Sequence, residues 1–107
     1  MSVKLIVLKS TEDVIADVSE IEIDGRIFGY KIKNPKALTL SQVEGLNEEV
    51  DPTRVSINFS KWQPFSDDEE YQIPFDWVVT ICEPIPNLKK SYEEHVNEER
   101  TVSTLSE

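Results

Sequence analysis

The sequence predicts a small all-β domain, a barrel or sandwich of five or six short strands followed by one late helix. Apolar and polar residues alternate through much of the first 83 positions, which is typical of half-buried strands. Turn and proline signals separate these runs at short intervals, which favours antiparallel hairpins. The 107 residues leave room for one domain.

The first part of the pattern predicts three strands joined by turns. Residues 3–9 form a β-branched and aliphatic run, and a short polar break suited to a turn follows it. Alternation resumes over 14–23, with a slip in phase near Ser19–Glu20 that indicates a bulge or a bend. Asp24–Gly25 is a strong tight-turn dipeptide, and the alternation after it predicts a third strand over 27–33.

Proline and glycine divide the middle of the chain. Asn34–Pro35 interrupts the third strand and predicts a bulge, an edge or a corner, because proline has no N–H to donate to a ladder. The extended pattern resumes over 37–40. The polar stretch 41–53 is predicted to be a loop, and the alternating residues 54–60 form the next strand.

Two short strands and one helix end the pattern. Strands are predicted over 71–73 and 78–83, with a corner at Pro74 between them. Asn87 is a candidate N-cap for a helix over 88–98. The apolar stripe of this helix is narrow, so the helix is marginal unless it packs on another element.

The predicted β-domain therefore covers residues 1–85, and residues 86–107 are an acidic helix and its tail. Residues 100–107 are predicted to be disordered. Because the helix is highly charged and its stripe is narrow, we predict that the last 20 or so residues are dispensable for folding. A chain that ends at Pro86 is expected to keep its β-sheet circular dichroism and its cooperative melting.

Charge and cysteine content exclude several classes of protein. Acids outnumber bases 21 to 11, and residues 67–107 alone hold 11 acids and 3 bases. This acidic part repels phosphate and disfavours general affinity for nucleic acid or anionic membranes. No apolar run approaches the roughly 20 residues of a membrane helix, and a secretory signal is not expected. Cys82 is the only cysteine, which excludes an intramolecular disulfide framework, and the expected compartment is the cytoplasm.

The sequence predicts no enzyme, no metal site and no cofactor. It lacks a P-loop, a nucleotide-binding glycine pattern, a nucleophile elbow and a paired-histidine zinc motif. His95 with Glu98 and Glu99 is more typical of a solvated helix face than of a metal site. Cys82 is expected to be a buried, inert thiol. The acids at 67–70 are expected to form a solvated turn that protects a strand edge.

Two stretches of the chain resemble the motifs of the Sm-like family, which includes the Sm, LSm and bacterial Hfq proteins. KLIVLKSTEDVIADVSEI is similar to the opening of the family's first motif, and IPFDWVVTICEP is similar to its second motif. The resemblance spans about residues 3–83 and implies an SH3-like, strongly bent antiparallel barrel. In the family, the last strand leaves the barrel after a one-turn corner and pairs with the neighbouring subunit, so that closed rings form.

More narrowly, the chain resembles small Sm-like proteins of cyanophage-type viruses, which implies a viral protein that acts in the host cytoplasm. It departs from the family's pattern at several positions. Ala16 stands where the second strand usually carries glycine, and Pro74–Phe75 replaces the Arg-Gly corner. Asp24 and Asn34 are the nearest candidates for the family's aspartate and asparagine that hold uridine, but their spacing differs.

One group of residues has the character of a nucleic-acid site. Lys31 and Lys33 share one face of the third strand, with Tyr30 and Asn34 beside them. Basic groups next to an aromatic ring are how single-stranded RNA is held. The alternative is a solvated outer strand face with Tyr30 packed inward, and the net charge of −10 favours that alternative.

The favoured function is a non-enzymatic module that assembles with itself and binds a protein partner. Two neutral, β-branched strands are expected at open edges of the domain, and such edges invite association. Pairing the last strand of one copy with a mid-chain strand of the next closes a ring, of about five to seven copies by resemblance to the family. The candidate interface residues are Val55, Ile57, Phe59, Trp77, Val79 and Ile81. The alternative function is an RNA-binding regulator of the Sm or Hfq type.

Overall fold

The computed structural model describes residues 2–42 and 55–105. The strands are β1 (Val3–Leu8), β2 (Asp13–Ile23), β3 (Arg26–Gln42), β4 (Val55–Lys61), β5 (Glu70–Pro74) and β6 (Val78–Cys82). A single 3-10 turn, Phe75–Trp77, joins β5 to β6, and the helix α1 covers Pro86–Leu105. No helix in this part of the chain is long and apolar enough to cross a membrane.

All six strands belong to one antiparallel sheet. Its path runs β4–β3–β2–β1–β6, and β5 also pairs with β3. β2 pairs along one edge of β3, whereas β5 and then β4 pair along the other edge. Within the described residues no ladder joins β6 to β4 or to β5, so the sheet is open. The prediction of a small all-β domain with a C-terminal helix is confirmed, and the number of strands is six.

β3 changes partner where Asn34 bends it. Residues 29–33 pair with β5, and residues 36–42 pair with β4. Asn34 has a left-handed conformation with a φ of 50°, which asparagine tolerates better than most residues. Its N–H donates to the carbonyl of Glu69 at 2.7 Å. The predicted interruption at Asn34–Pro35 is therefore a bend within one long strand rather than a gap between two short ones.

One face of the sheet holds the first apolar core. Side chains two positions apart share a face of a strand, so alternate residues of β1 and β2 are buried together. The buried members are Ile6, Leu8, Val14, Ala16, Val18, Ile32 and Ile73. Trp62 and Tyr71 pack against them, with their rings in a T-shaped contact 5.4 Å apart.

The helix α1 covers the opposite face of the sheet and completes a second core. Ile15 points away from the first core, and the predicted stripe of α1 packs around it. The buried members are Val3, Ile15, Leu88, Tyr92 and Val96, with Leu38 and Phe59 half-buried against them. The apolar stripe predicted at every fourth residue is therefore the buried face of the helix.

The helix α1 is longer than the predicted range 88–98. It runs to Leu105 and thus includes residues 100–105, which the sequence pattern places in a disordered tail. Packing on the sheet supplies the stabilisation that an isolated helix with so narrow a stripe lacks. The expectation that the last 20 or so residues are dispensable loses its basis, because α1 supplies three of the five buried side chains of the second core.

Two other predictions, the loop over 41–53 and the phase slip in β2, differ in position from the structure. Of the predicted loop 41–53, residues 41 and 42 continue β3, and residues 43–53 lie outside the described residues. The register between β2 and β3 shifts at two points, one on each side of the predicted slip near Ser19–Glu20. Each shift adds twist to the hairpin.

Truncation of the chain after Pro86 is expected to abolish cooperative unfolding. It removes the helical part of the second core and exposes Val3 and Ile15 to water. Burial of one aliphatic side chain contributes roughly 1.5–3 kcal/mol, and a whole domain has roughly 5–15 kcal/mol of stability. Thermal melts followed by circular dichroism measure the difference. Cooperative melting of the truncated chain at the wild-type temperature would show that α1 adds nothing to the core.

A point variant tests the same contact without shortening the chain. Tyr92→Ala is expected to lower the free energy of unfolding by about 3–5 kcal/mol, because its ring is buried. Glu94→Ala is the matched control: this side chain is exposed on the same helix, so the expected change is within about 0.5 kcal/mol. Equal urea midpoints for the two variants would be incompatible with a docked helix.

Candidate functional site

In the described part of the chain, β4, β5 and β6 each have a single ladder partner. The candidate functional site is the pair of edges at the two ends of the sheet path, those of β4 and β6. β4 pairs with β3 along one edge, and β6 pairs with β1 along one edge. In the described part of the chain, the second edge of each of these strands has no ladder partner. Unpaired N–H and C=O groups along an edge are a template for pairing with another chain. The strands that the sequence analysis selected are therefore the two ends of the sheet path.

The β4 end carries an exposed apolar pair. Ile57 is exposed and lies opposite Leu40, whose exposure is 73%. The sequence analysis did not select Leu40, although its place two residues after the half-buried Leu38 on one strand face was a usable signal. Val55 pairs with Gln42 on the same ladder, and its side chain lies outside the described residues.

Two of the candidate interface residues contact the cores of their own chain. Phe59 is half-buried, and its ring centroid lies 5.3 Å from that of His95 and 6.4 Å from that of Tyr92. Ile81 is half-buried against the first core. Both side chains therefore belong to the interior of the domain, and only their backbone groups lie at the strand edges.

The β6 end carries Trp77 and Val79. The register between β1 and β6 shifts here and leaves Val79 without an opposite residue, and its exposure is 63%. Such a bulge changes the direction of a side chain, and no local sequence pattern predicts a bulge at this position. Trp77 is exposed, and its carbonyl accepts the N–H of Lys9 at 2.9 Å. The prediction that Cys82 is a buried thiol is wrong, because this residue is exposed. It ends β6, which has a ladder partner on one side only within the described residues.

The candidate RNA-binding residues have different surroundings. Tyr30 is half-buried against the first core. Lys31 is exposed, and its ammonium lies 3.7 Å from the carboxylate of Glu70. Lys33 lines a shallow cleft whose other lining residues are the acids 67–70. A phosphate group that approached either lysine would therefore also meet carboxylates.

Asn34, the fourth of these residues, helps to fasten α1 to the bend in β3. Its carbonyl accepts the Tyr92 hydroxyl at 2.8 Å. Two residues further along, Lys36 is buried and donates to both carboxylate oxygens of Glu99 at 2.8 Å. A buried ammonium requires such a partner, because an unpaired charge in the interior costs several kcal/mol. The bend and the helix are thus joined by one neutral and one charged contact.

A cleft of about 570 Å³ opens between the bend, the acidic turn 67–70 and α1. Its lining contains both acids and lysines. The His95 imidazole lies 3.2 Å from the Glu99 carboxylate. The Tyr71 hydroxyl donates to the Asp68 carbonyl at 2.8 Å. In the described residues, no group of three or more histidine, cysteine or acidic side chains is placed to hold a metal ion. The cleft is therefore a polar groove between the sheet and the helix α1.

One exposed ion pair connects β1 to the residue that follows β6. The ammonium of Lys4 forms a salt bridge with Glu83. This hydrogen bond holds the pKa of the Glu83 carboxyl below its ordinary value. The pair lies at the surface, where solvent screens it, so it contributes little to stability.

Comparison with known proteins assigns no family to the chain. No protein-family model and no curated protein matches it. The Sm-like resemblance therefore stays a prediction that rests on the two sequence motifs.

Glu99→Ala is expected to lower the free energy of unfolding by about 1–3 kcal/mol, because it leaves the Lys36 ammonium buried without an acceptor. Lys36→Met removes the buried charge together with its need for a partner, and is expected to be neutral or stabilising. Glu98→Ala, exposed at the preceding helix position, is the control. Urea denaturation compares the three variants. A larger loss for Lys36→Met than for Glu99→Ala would contradict the desolvation argument.

Binding to oligo-uridine is expected to be weak at physiological salt, since carboxylates lie beside both candidate lysines. The double variant Lys31→Glu, Lys33→Glu should change the free energy of unfolding by less than about 1 kcal/mol, because exposed ion pairs contribute little. Filter binding with uridine-rich and adenosine-rich oligonucleotides measures the affinity. A tight complex that the double variant abolishes would favour the RNA-binding alternative.

Proposed function

We propose that this chain is a non-enzymatic module that assembles with copies of itself, by pairing β4 of one copy with β6 of the next. The observation that carries the proposal is that β4 and β6 are the two ends of the sheet path, and that no ladder joins them within the described residues. Each end also exposes apolar side chains: Ile57 with Leu40 beside β4, and Trp77 with Val79 beside β6. The two edges are complementary, because each provides the ladder partner that the other lacks.

The proposed contact is of a kind that can close into a ring. Pairing between two different edges is heterologous, and its repetition around an axis closes when the rotation per copy fits. A domain of this size buries only roughly 60–70% of the surface of its unfolded chain, so additional burial between copies adds substantially to its stability. The proposed assembly is a cyclic homo-oligomer of about five to seven copies, a number taken from the family resemblance.

The finer fold that belongs to this proposal is an SH3-like, Sm-type barrel. Three features support it: the order β3–β2–β1–β6 with β5 on the other edge of β3, the one-turn corner between β5 and β6, and the change of partner along β3 at the left-handed Asn34. The stretch IPFDWVVTICEP contains that corner and β6. By resemblance to viral members of the family, the proposed module binds another protein or forms part of a viral assembly.

RNA binding is the alternative function, and the described residues favour it less. Lys31 is paired with Glu70, and Tyr30 packs against the first core. A stacking site for bases requires an exposed ring next to unpaired basic groups. The surroundings of these residues instead match the solvated outer strand face of the sequence analysis.

Light scattering at micromolar concentration is expected to report one species with several times the mass of the chain. Val79→Lys should dissociate it, because a charge on an edge strand opposes pairing, and the exposed position leaves the fold intact. Phe65→Lys is the matched control: it places the same charge on a fully exposed apolar residue between β4 and β5. This control should assemble like the wild type.

A monomeric wild-type chain at micromolar concentration would contradict the proposed assembly. So would a Val79→Lys variant that assembles as the wild type does. Circular dichroism of both variants verifies that any loss of assembly occurs in a folded chain.

A further inference from the structure

A second exposed apolar surface lies at the tip of the β2–β3 hairpin, at the opposite end of β3 from β4. Four large apolar side chains are exposed there. They are Ile23 (53%), Ile27 (41%), Phe28 (53%) and Phe75 (56%). Ile23 pairs with Arg26 and Ile27 with Glu22, so Ile23 lies on the opposite face of the hairpin from Ile27. We call the other three, Ile27, Phe28 and Phe75, the hairpin-tip patch. Contiguous exposed apolar surface on a small domain marks an interaction site more often than scattered single residues do.

The backbone register places the two aromatic residues of the patch at the same end of the β3–β5 ladder. Pro74 lies opposite Gly29, so Phe75 and Phe28 follow at the next position of the same two segments. The strands are held closely here: a Cβ atom on Gly29 would lie 2.3 Å from the carbonyl oxygen of Ile73. Because β5 lies this close to β3 at Gly29, the 3-10 turn that follows β5 and carries Phe75 lies beside the hairpin tip.

Acidic residues flank the patch along the chain. The exposed carboxylates nearest to it along the chain are Glu20, Glu22, Asp24 and Asp76. Glu22 lies directly opposite Ile27, and Arg26, the one cation within this hairpin tip, lies directly opposite Ile23. In the described part of the chain, no salt bridge includes any of the four carboxylates. The rim of the patch is therefore acidic and available to a partner.

We infer that the hairpin-tip patch docks a segment of another protein that presents apolar side chains between lysines or arginines. The inference rests on the proposed binding of a protein partner and adds its surface and its chemistry. Burial of the three apolar side chains supplies affinity, and the acidic rim selects a basic partner. A second copy of this chain is disfavoured as the occupant, because it would bring two acidic rims together in a protein of net charge −10.

Fluorescence anisotropy with two dye-labelled peptides tests the inference on the full chain. The first peptide alternates leucine with lysine, and the second alternates leucine with glutamate. The leucine–lysine peptide is expected to bind, and the leucine–glutamate peptide at least tenfold more weakly. Phe28→Ser and Phe75→Ser should each weaken the leucine–lysine complex by about tenfold or more, as loss of a buried aromatic anchor does. Phe65→Ser removes an exposed phenylalanine outside the patch and should leave the affinity unchanged.

Equal affinity of all three serine variants for the leucine–lysine peptide overturns the inference, because the peptide then binds through charge alone. Light scattering on the same samples separates this surface from the strand edges. A Phe28→Ser oligomer of wild-type size that no longer binds the peptide supports the inference. Dissociation of the oligomer by Phe28→Ser overturns it, since the patch then contacts a second copy. A monomeric wild-type chain whose peptide binding needs Phe28 supports the patch and contradicts only the proposed assembly.

Discussion

The strands β5 and β4 and the helix α1 all meet β3 around the bend that Asn34 makes. The strand has three partners, because the bend gives its two halves different directions, residues 29–33 toward β5 and residues 36–42 toward β4. The same bend receives α1, through the Tyr92 hydroxyl on the Asn34 carbonyl and the buried pair of Lys36 with Glu99. The β4 end of the sheet and the polar contacts of the helix thus both lie beside one local backbone conformation.

Sequence patterns predict the elements whose formation depends on residues close together in the chain. The alternation in β1 and β2 predicts both the strands and their buried faces, since a half-buried strand needs one apolar side. Asn34–Pro35 signals the loss of a ladder N–H but not the direction of the chain beyond it. The docking of α1 depends on Ile15, more than 70 positions away, and the need for Gly29 comes from the Ile73 carbonyl. No window of sequence contains those contacts.

The same distinction applies to the candidate site. Neutral, β-branched composition correctly selects β4 and β6 as the end strands, but tertiary contacts decide which side chains remain exposed there. The helix covers Phe59, and a register shift turns Val79 outward. The carboxylate beside Lys31 belongs to β5, which the strand pattern of β3 does not reveal. Under our proposals, the strand edges pair with copies of this chain and the hairpin-tip patch binds a basic partner.

Amide hydrogen exchange at a series of protein concentrations measures edge pairing strand by strand. If β4 of one copy pairs with β6 of the next, exchange in both strands slows together as the concentration rises through the assembly transition. Amides of β2, which has a neighbour on each side within one chain, serve as the internal reference and should not change. Exchange in β4 and β6 that is independent of concentration would contradict the pairing of copies through these edges.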